Sequence, residues 1–377
     1  MKKNRIYLDN NATTQIDPSV LEAVVNNLQN HYGNPSSVHS FGQDSRNRLA
    51  KARQSIATYF QVKPNEVIFT SGGTESLNMV IRGLFTGNAN GHILTSNVEH
   101  SCVFSSIQQL EAQGCKATYL STGVWGAVTP DAVLAALRPD TRLIAMMAVN
   151  NETGVKTDIH EIAAIALEKG IPFLVDGVAL LGKELFNIPK GVSAICFSGH
   201  KIHAPKGVGL AIIRSNLKLA PLLIGEQEYG RRGGTENLSG IIGLAEAIKL
   251  LQAGLHETMQ RMAYLRDKLE KALSEMLPGV TVNGLGPRVV NTTNLSFAGV
   301  NGEALIANLD MEGVAVSHGS ACSSGSLEPS RILLNMGIPM SAASSSLRFS
   351  LSRFTTESEI DQCVDIVCRV VIRLRQL

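Results

Sequence analysis

The chain has 377 residues, 44% of them hydrophobic, with 34 lysines and arginines against 32 aspartates and glutamates. That length suffices for two compact lobes, and a net charge of +2 offers no basic surface for nucleic acid or an anionic membrane, so selectivity has to come from a site. Six cysteines, at 102, 115, 196, 322, 363 and 368, contain no CxxC pair and no zinc-ligand spacing, which implies neither a disulfide framework nor a metal site and fits a reducing compartment.

The N-terminus, MKKNRIYLDNN, turns polar before any apolar stretch of signal-peptide length, and later apolar runs meet a charge or a turn before 18 residues. The chain therefore reads as soluble and cytoplasmic. Between residues 67 and 213, short apolar runs alternate with helical patterns: EVIFTSG, HILTS, RLIAMMAVN, PFLVDG, AICFSG and GVGLAII. This alternation predicts a mainly parallel sheet with helices on both faces. Gly72, Gly73 and Thr74 stand between the first of these runs and a helical segment, where free amides, close approach and a hydroxyl make a phosphate cradle. A helical pattern over about 244–276, rich in strong helix formers and without proline, leads toward a second lobe. That lobe alternates strand and helix again and ends in a helix over about 357–375.

Two strand ends carry chemistry. The run ending in Phe197 is followed by Ser198, Gly199, His200 and Lys201, and the run ending in Val175 is followed by Asp176. Ligand groups in such sheets gather beyond the carboxyl ends of the strands. A primary amine for an aldehyde, donors for a phosphate and a carboxylate for a ring nitrogen together suit pyridoxal phosphate, although singly Lys201 is equally a solvated lysine and Asp176 a turn former. Lys201 is the one amine expected between Asp176 and the phosphate cradle. Later, Ser346-Leu347-Arg348-Phe349-Ser350-Leu351 alternates strictly, placing Leu347, Phe349 and Leu351 on one face and Arg348 on the other, where a guanidinium can grip a carboxylate. Cys322 lies among glycines and serines, HGSACSSGS, in a stretch expected to be an exposed and mobile loop. The other five cysteines read as small core or surface residues.

The strings YLDNNATT (7–14), YGNPSS (32–37), SGGTESLN (71–78), EH (99–100), NNETG (150–154), VDGVALLGK (175–183), SGHKIHAPKG (198–207), GRRGGTEN (230–237), HGSACSSGSLEPSR (318–331) and SSLRFSLSRFTTE (345–357) follow one another in order. With them the chain resembles, nearly end to end, the cysteine desulfurases of the class V aminotransferase group, within the fold-type I pyridoxal phosphate enzymes. The resemblance implies an α/β fold: a large cofactor-binding domain (15–258) with a mainly parallel sheet in three layers, and a smaller α+β domain (1–14 and 259–377) that carries the cysteine loop. It further implies that Lys201 bears the cofactor, that Gly73, Thr74, Ser198 and His200 hold its phosphate, and that Thr235 reaches the phosphate of the neighbouring subunit in a homodimer. Asp176 would keep a proton on the ring nitrogen, and His100 would stack on the ring and exchange protons. Asn151 would lie near the phenolic oxygen and the substrate carboxylate, Arg348 and Asn34 would hold that carboxylate, and Cys322 would be the nucleophile. L-cysteine would become L-alanine, with sulfur passing to Cys322 as a persulfide and on to a sulfur carrier, an iron-sulfur scaffold protein or tRNA thiolation. Ala179 stands where the family has glutamine, and Glu226, Tyr229 and Gly233 are lesser departures. A selenocysteine lyase would share the fold and cofactor, and Ala179 leaves room for a weakly active paralogue with a partner-binding role.

Overall fold

A computed structural model of the chain describes residues 5–319 and 328–376. Its strands are β1 (Ile6–Tyr7), β2 (Val67–Thr70), β3 (His92–Ser96), β4 (Lys116–Leu120), β5 (Thr141–Met147), β6 (Phe173–Asp176), β7 (Ala194–Ser198), β8 (Gly209–Ile213), β9 (Val280–Val282), β10 (Thr292–Phe297), β11 (Val314–Ala315) and β12 (Ser346–Ser350). Seven form one sheet in the order β2-β8-β7-β6-β5-β3-β4. Every pairing from β7 through β4 is parallel, whereas β8 runs antiparallel to both β7 and β2.

The central strands are buried on both faces, which is why they read as continuous apolar runs. Successive residues fill opposite layers: Phe173 and Val175 face one core while Leu174 faces the other, and Ile195 and Phe197 oppose Ala194 and Cys196. Helices Gly73–Phe85 and Ser101–Glu111 cover one face with Leu77, Ile81, Val103 and Ile107. Helices Ser40–Phe60 and Ile159–Lys169, with the first part of Leu238–Met276, cover the other.

Leu238–Met276 is 39 residues long, about 58 Å at 1.5 Å per residue. It begins six residues before the sequence pattern suggests, because the Asn237 side chain accepts the Gly240 N–H at 3.1 Å and caps it. It includes a stretch apolar enough by composition to cross a membrane, but its side chains serve two protein cores. Leu238 to Leu255 pack in the large one, and Leu265, Leu269 and Leu273 in a second. The second core lies under the antiparallel sheet β12-β10-β9, with Leu347, Phe349 and Leu351 turned into it as the alternation predicts, and is closed by helix Glu357–Leu374.

The N-terminal residues tie the two sheets together. β1 pairs in parallel with β11, Asn10 donates to the Ser350 carbonyl at 2.8 Å, and Thr14 N–H donates to the His200 carbonyl at 2.9 Å.

Candidate active site

The carboxyl ends of β6 and β7 open into a cavity lined by Asn10, Asn11, Gly73, Thr74, His100, Cys102, Asn151, Asp176, Val178, Ala179, Lys183, Ser198, His200, Lys201 and Arg348. The expected Asp176, Ser198 and Lys201 therefore converge, although the first and last are 25 positions apart in the chain.

Helix Gly73–Phe85 starts at the cavity wall with no side chain capping it. A Cβ at Gly73 would stand 2.6 Å from Val178 Cγ2, so a larger residue would have to push that side chain aside. The uncapped amides, the Thr74 and Ser198 hydroxyls and His200 border one end of the cavity, an arrangement that suits an anion. Burial lowers the His200 pKa to about 4, with Lys201 and Lys206 pushing the same way, so its ring is neutral at pH 7. Its Nδ1 lies 3.2 Å from Thr13 Oγ1.

Asp176 is 8% exposed, and its Oδ1 accepts the Val178 N–H at 2.9 Å. Burial pushes its pKa up, against the opposing pull of His100 and Lys201. Such a carboxyl gains most from a charged N–H brought in by a ligand. Lys201 ends the short 3-10 turn Gly199–Lys201, and its Nζ donates to the carbonyls of Asn11 and, at 2.8 Å, Ala12.

His100 caps helix Ser101–Glu111: its Nδ1 accepts the Cys102 N–H at 3.2 Å, so the neutral ring carries its proton on Nε2. Cys102 lines the cavity with its Sγ 3.0 Å from the same Nδ1. It also packs against the apolar core on that face of the sheet, as expected of a small core residue. The fully buried Glu99 accepts from Ser96 Oγ at 2.6 Å, and burial raises its pKa to about 8, so it is a neutral acid behind His100 at pH 7.

Arg348 is 1% exposed. Its Nη2 donates to Asp9 Oδ1 at 2.8 Å and its Nη1 to the Asn151 carbonyl at 3.0 Å, while its Nε and the Asn151 Oδ1 are buried without a hydrogen-bond partner among the described residues. Two unsatisfied polar atoms on neighbouring cavity residues are costly unless a ligand meets them.

Other expected residues lie elsewhere. Asn34 is exposed between helices Pro18–Asn30 and Ser40–Phe60; its Oδ1 accepts the Ser36 N–H at 2.9 Å, and it does not line this cavity. Thr235 is exposed, bordering a neighbouring hollow with Ser71 and Gly207. Cys322 lies outside the described residues. Flanking residues are anchored near His100: Ser330 Oγ donates to the Glu152 carboxylate, and Arg331 donates to the carbonyls of Asn97 and Glu99. Gly233, a departure from the family pattern, passes so close to Ile224 that a Cβ would meet its carbonyl oxygen at 2.4 Å, and so no larger residue fits this loop path.

Asp9, Cys102 and Lys183 are cavity-region residues that the sequence motifs do not single out. Lys183 also corrects the expectation of a single amine between Asp176 and the cradle, because it lines the same cavity.

The chain belongs to the aminotransferase class-V family, whose model matches residues 6–363. Within that family it is 43% identical to a cysteine desulfurase of Nostoc sp., over 99% of this chain and 94% of that one. It is 42% identical to the cysteine desulfurase IscS of Dictyoglomus turgidum, over 100% of this chain and 96% of that one. Among solved structures it is similar to a NifS-like protein, with a TM-score of 0.91 and 32% identity over 98% of this chain and all of that one. It is also similar to SspA in complex with cysteine, with a TM-score of 0.82 and 31% identity over 93% of this chain and all of that one.

Proposed function

We propose that the protein is a pyridoxal phosphate-dependent cysteine desulfurase, converting L-cysteine and the Cys322 thiol into L-alanine and a Cys322 persulfide that hands its sulfur to an acceptor protein. The carrying observation is the convergence of Asp176, Lys201, an uncapped helix start and Arg348 on one cavity. The residues present fit the cofactor: the cradle of Gly73, Thr74, Ser198 and His200 suits its phosphate, Asp176 its ring nitrogen and Lys201 its aldehyde. When bound, the cofactor supplies an electron sink for the charge left as the substrate loses its α proton.

The chain's own residues do the rest. Arg348 orients the substrate carboxylate, and Asp9 and the Asn151 carbonyl hold the guanidinium where its Nε and the Asn151 amide remain to be satisfied. Lys201 and His100 move protons, the latter with the tautomer fixed by its helix cap. The Cys322 thiolate attacks the substrate sulfur; the carbon–sulfur bond breaks, a sulfur–sulfur bond forms, and a proton returns to carbon to give alanine. The exposed Thr235, beside the cradle but outside its own chain's cavity, supports a homodimer in which it serves the neighbouring phosphate.

Incubation with L-cysteine should yield alanine and persulfide on Cys322 in equal amounts before an acceptor is added. Turnover confined to selenocysteine would make the protein a lyase of that substrate instead. Replacing Arg348 by lysine should raise KM for cysteine by about ten-fold to more than a hundred-fold, because an ammonium cannot reproduce the planar two-point grip and losing a charge-assisted bond costs about 1.5 to 3 kcal/mol. Steady-state kinetics checks this, and unchanged parameters would move the carboxylate site.

A further inference from the structure

Lys183 carries a buried amine that the proposed reaction does not use. It ends the turns that follow β6, is 5% exposed and lines the cavity beside Asp176 and Lys201. Its Nζ donates to the main-chain carbonyl of Lys201 at 3.2 Å. Behind it lies a small hollow bordered by His203, Leu255 and Arg353.

The charged groups around it are arranged one-sidedly. Lys201 and, from the segment after β12, Arg353 both oppose a charge on Lys183, and among the described residues no carboxylate pairs with it. Arg353 is itself paired with Asp17, His203 is neutral because burial lowers its pKa to about 3, and Glu184 next door pairs with Lys156 at 2.9 Å. The same cavity is also lined by Asp176, His100, His200 and Arg348. Burial together with the two cations brings the Lys183 pKa down to about 8, so the group is a cation at pH 7 that loses its proton just above it.

Resting on the assignment of Lys201 as the cofactor-bearing lysine, we propose that Lys183 is a positioning residue of the active site. It fixes the Lys201 main chain through the carbonyl, and its positive charge makes the Lys201 nitrogen a weaker proton acceptor. The adjacent carbonyl contact supplies the placement, and the shared low-polarity cavity lets one cation act on the other.

The test uses wild-type protein and the variants Lys183→Met, Lys183→Gln and Lys183→Arg, each loaded with pyridoxal phosphate and titrated by visible absorbance without substrate. The band position reports whether the nitrogen linking Lys201 to the cofactor is protonated. Removing the charge in the Met and Gln variants should raise the titration midpoint by about one pH unit, whereas arginine, a permanent cation, should not raise it. An unmoved or lowered midpoint in the Gln variant, or an upward shift in the Arg variant equal to that of Gln, would overturn the proposal. Should the Met variant fail to fold, Gln and Arg decide, since both retain a donor for the Lys201 carbonyl. Borohydride reduction and peptide mass spectrometry on each variant should place the cofactor on Lys201. A label on a different lysine in wild-type protein would instead overturn the assignment on which the proposal rests.

Discussion

Serine in place of Cys322 should abolish alanine and persulfide formation, a loss of ~10³-fold or more, while leaving cofactor loading and cysteine binding intact. The hydroxyl is nearly isosteric but cannot accept sulfur, because the attacking species is a thiolate and the product a sulfur–sulfur bond. Retention of binding follows from the position of the cavity groups: Arg348, Asp176 and Lys201 are held by Asp9, Val178 and the N-terminal carbonyls, all far in sequence from Cys322. The anchors of Ser330 and Arg331, onto Glu152 and the carbonyls before His100, do not involve the cysteine side chain either. Alanine assays and mass spectrometry of the trapped persulfide measure the effect. Alanine release near the wild-type rate would reassign the nucleophile.

Lys201→Ala should eliminate covalent attachment of the cofactor and reduce alanine formation by a comparable ~10³-fold. The protein should still fold, because the substitution costs two hydrogen bonds to the Asn11 and Ala12 carbonyls, on the order of 1 kcal/mol each. Pyridoxal phosphate should still be held, now noncovalently, by the helix start, Ser198 and Asp176. Borohydride reduction followed by peptide mapping distinguishes the outcomes. No labelled lysine is the expected result, and a label at Lys183, a second amine lining the cavity, would mean that the two can exchange roles.

Much of this arrangement is legible in the sequence, and the remainder is hidden for identifiable reasons. Apolar runs of four to seven residues mark β2, β3, β5, β6, β7 and β8 because both faces of the sheet are buried, and the polar residues ending β6 and β7 are then placed at the ligand edge by the geometry of parallel strands. The alternation around Arg348 likewise fixes its face. Periodicity reports burial but not partners, so the antiparallel direction of β8 and the order of strands cannot be read from it. Asp9 is invisible for the same reason: only the fold brings an N-terminal carboxylate to Arg348. Cys102 escapes notice because a cysteine in an amphipathic helix start resembles any small apolar residue, and its contact with His100 depends on how the histidine caps that helix. Asn34 shows the converse case, in which a residue carried over by motif lies outside the cavity of its own chain.

The N-terminal tie between the two sheets also orders events during synthesis. The ion pair of Asp9 with Arg348 joins positions 339 apart, and Lys201 leans on carbonyls 190 and 189 positions earlier. Local pairings within the large sheet can form while the chain is still emerging, whereas contacts of such sequence separation carry the greatest loop-closure entropy and form late. The cavity is consequently a product of the last stage of folding: a ribosome must release almost the entire polypeptide before Asp9, Lys201 and Arg348 can line up around it, so stalled or truncated chains carry Lys201 without the Arg348 wall.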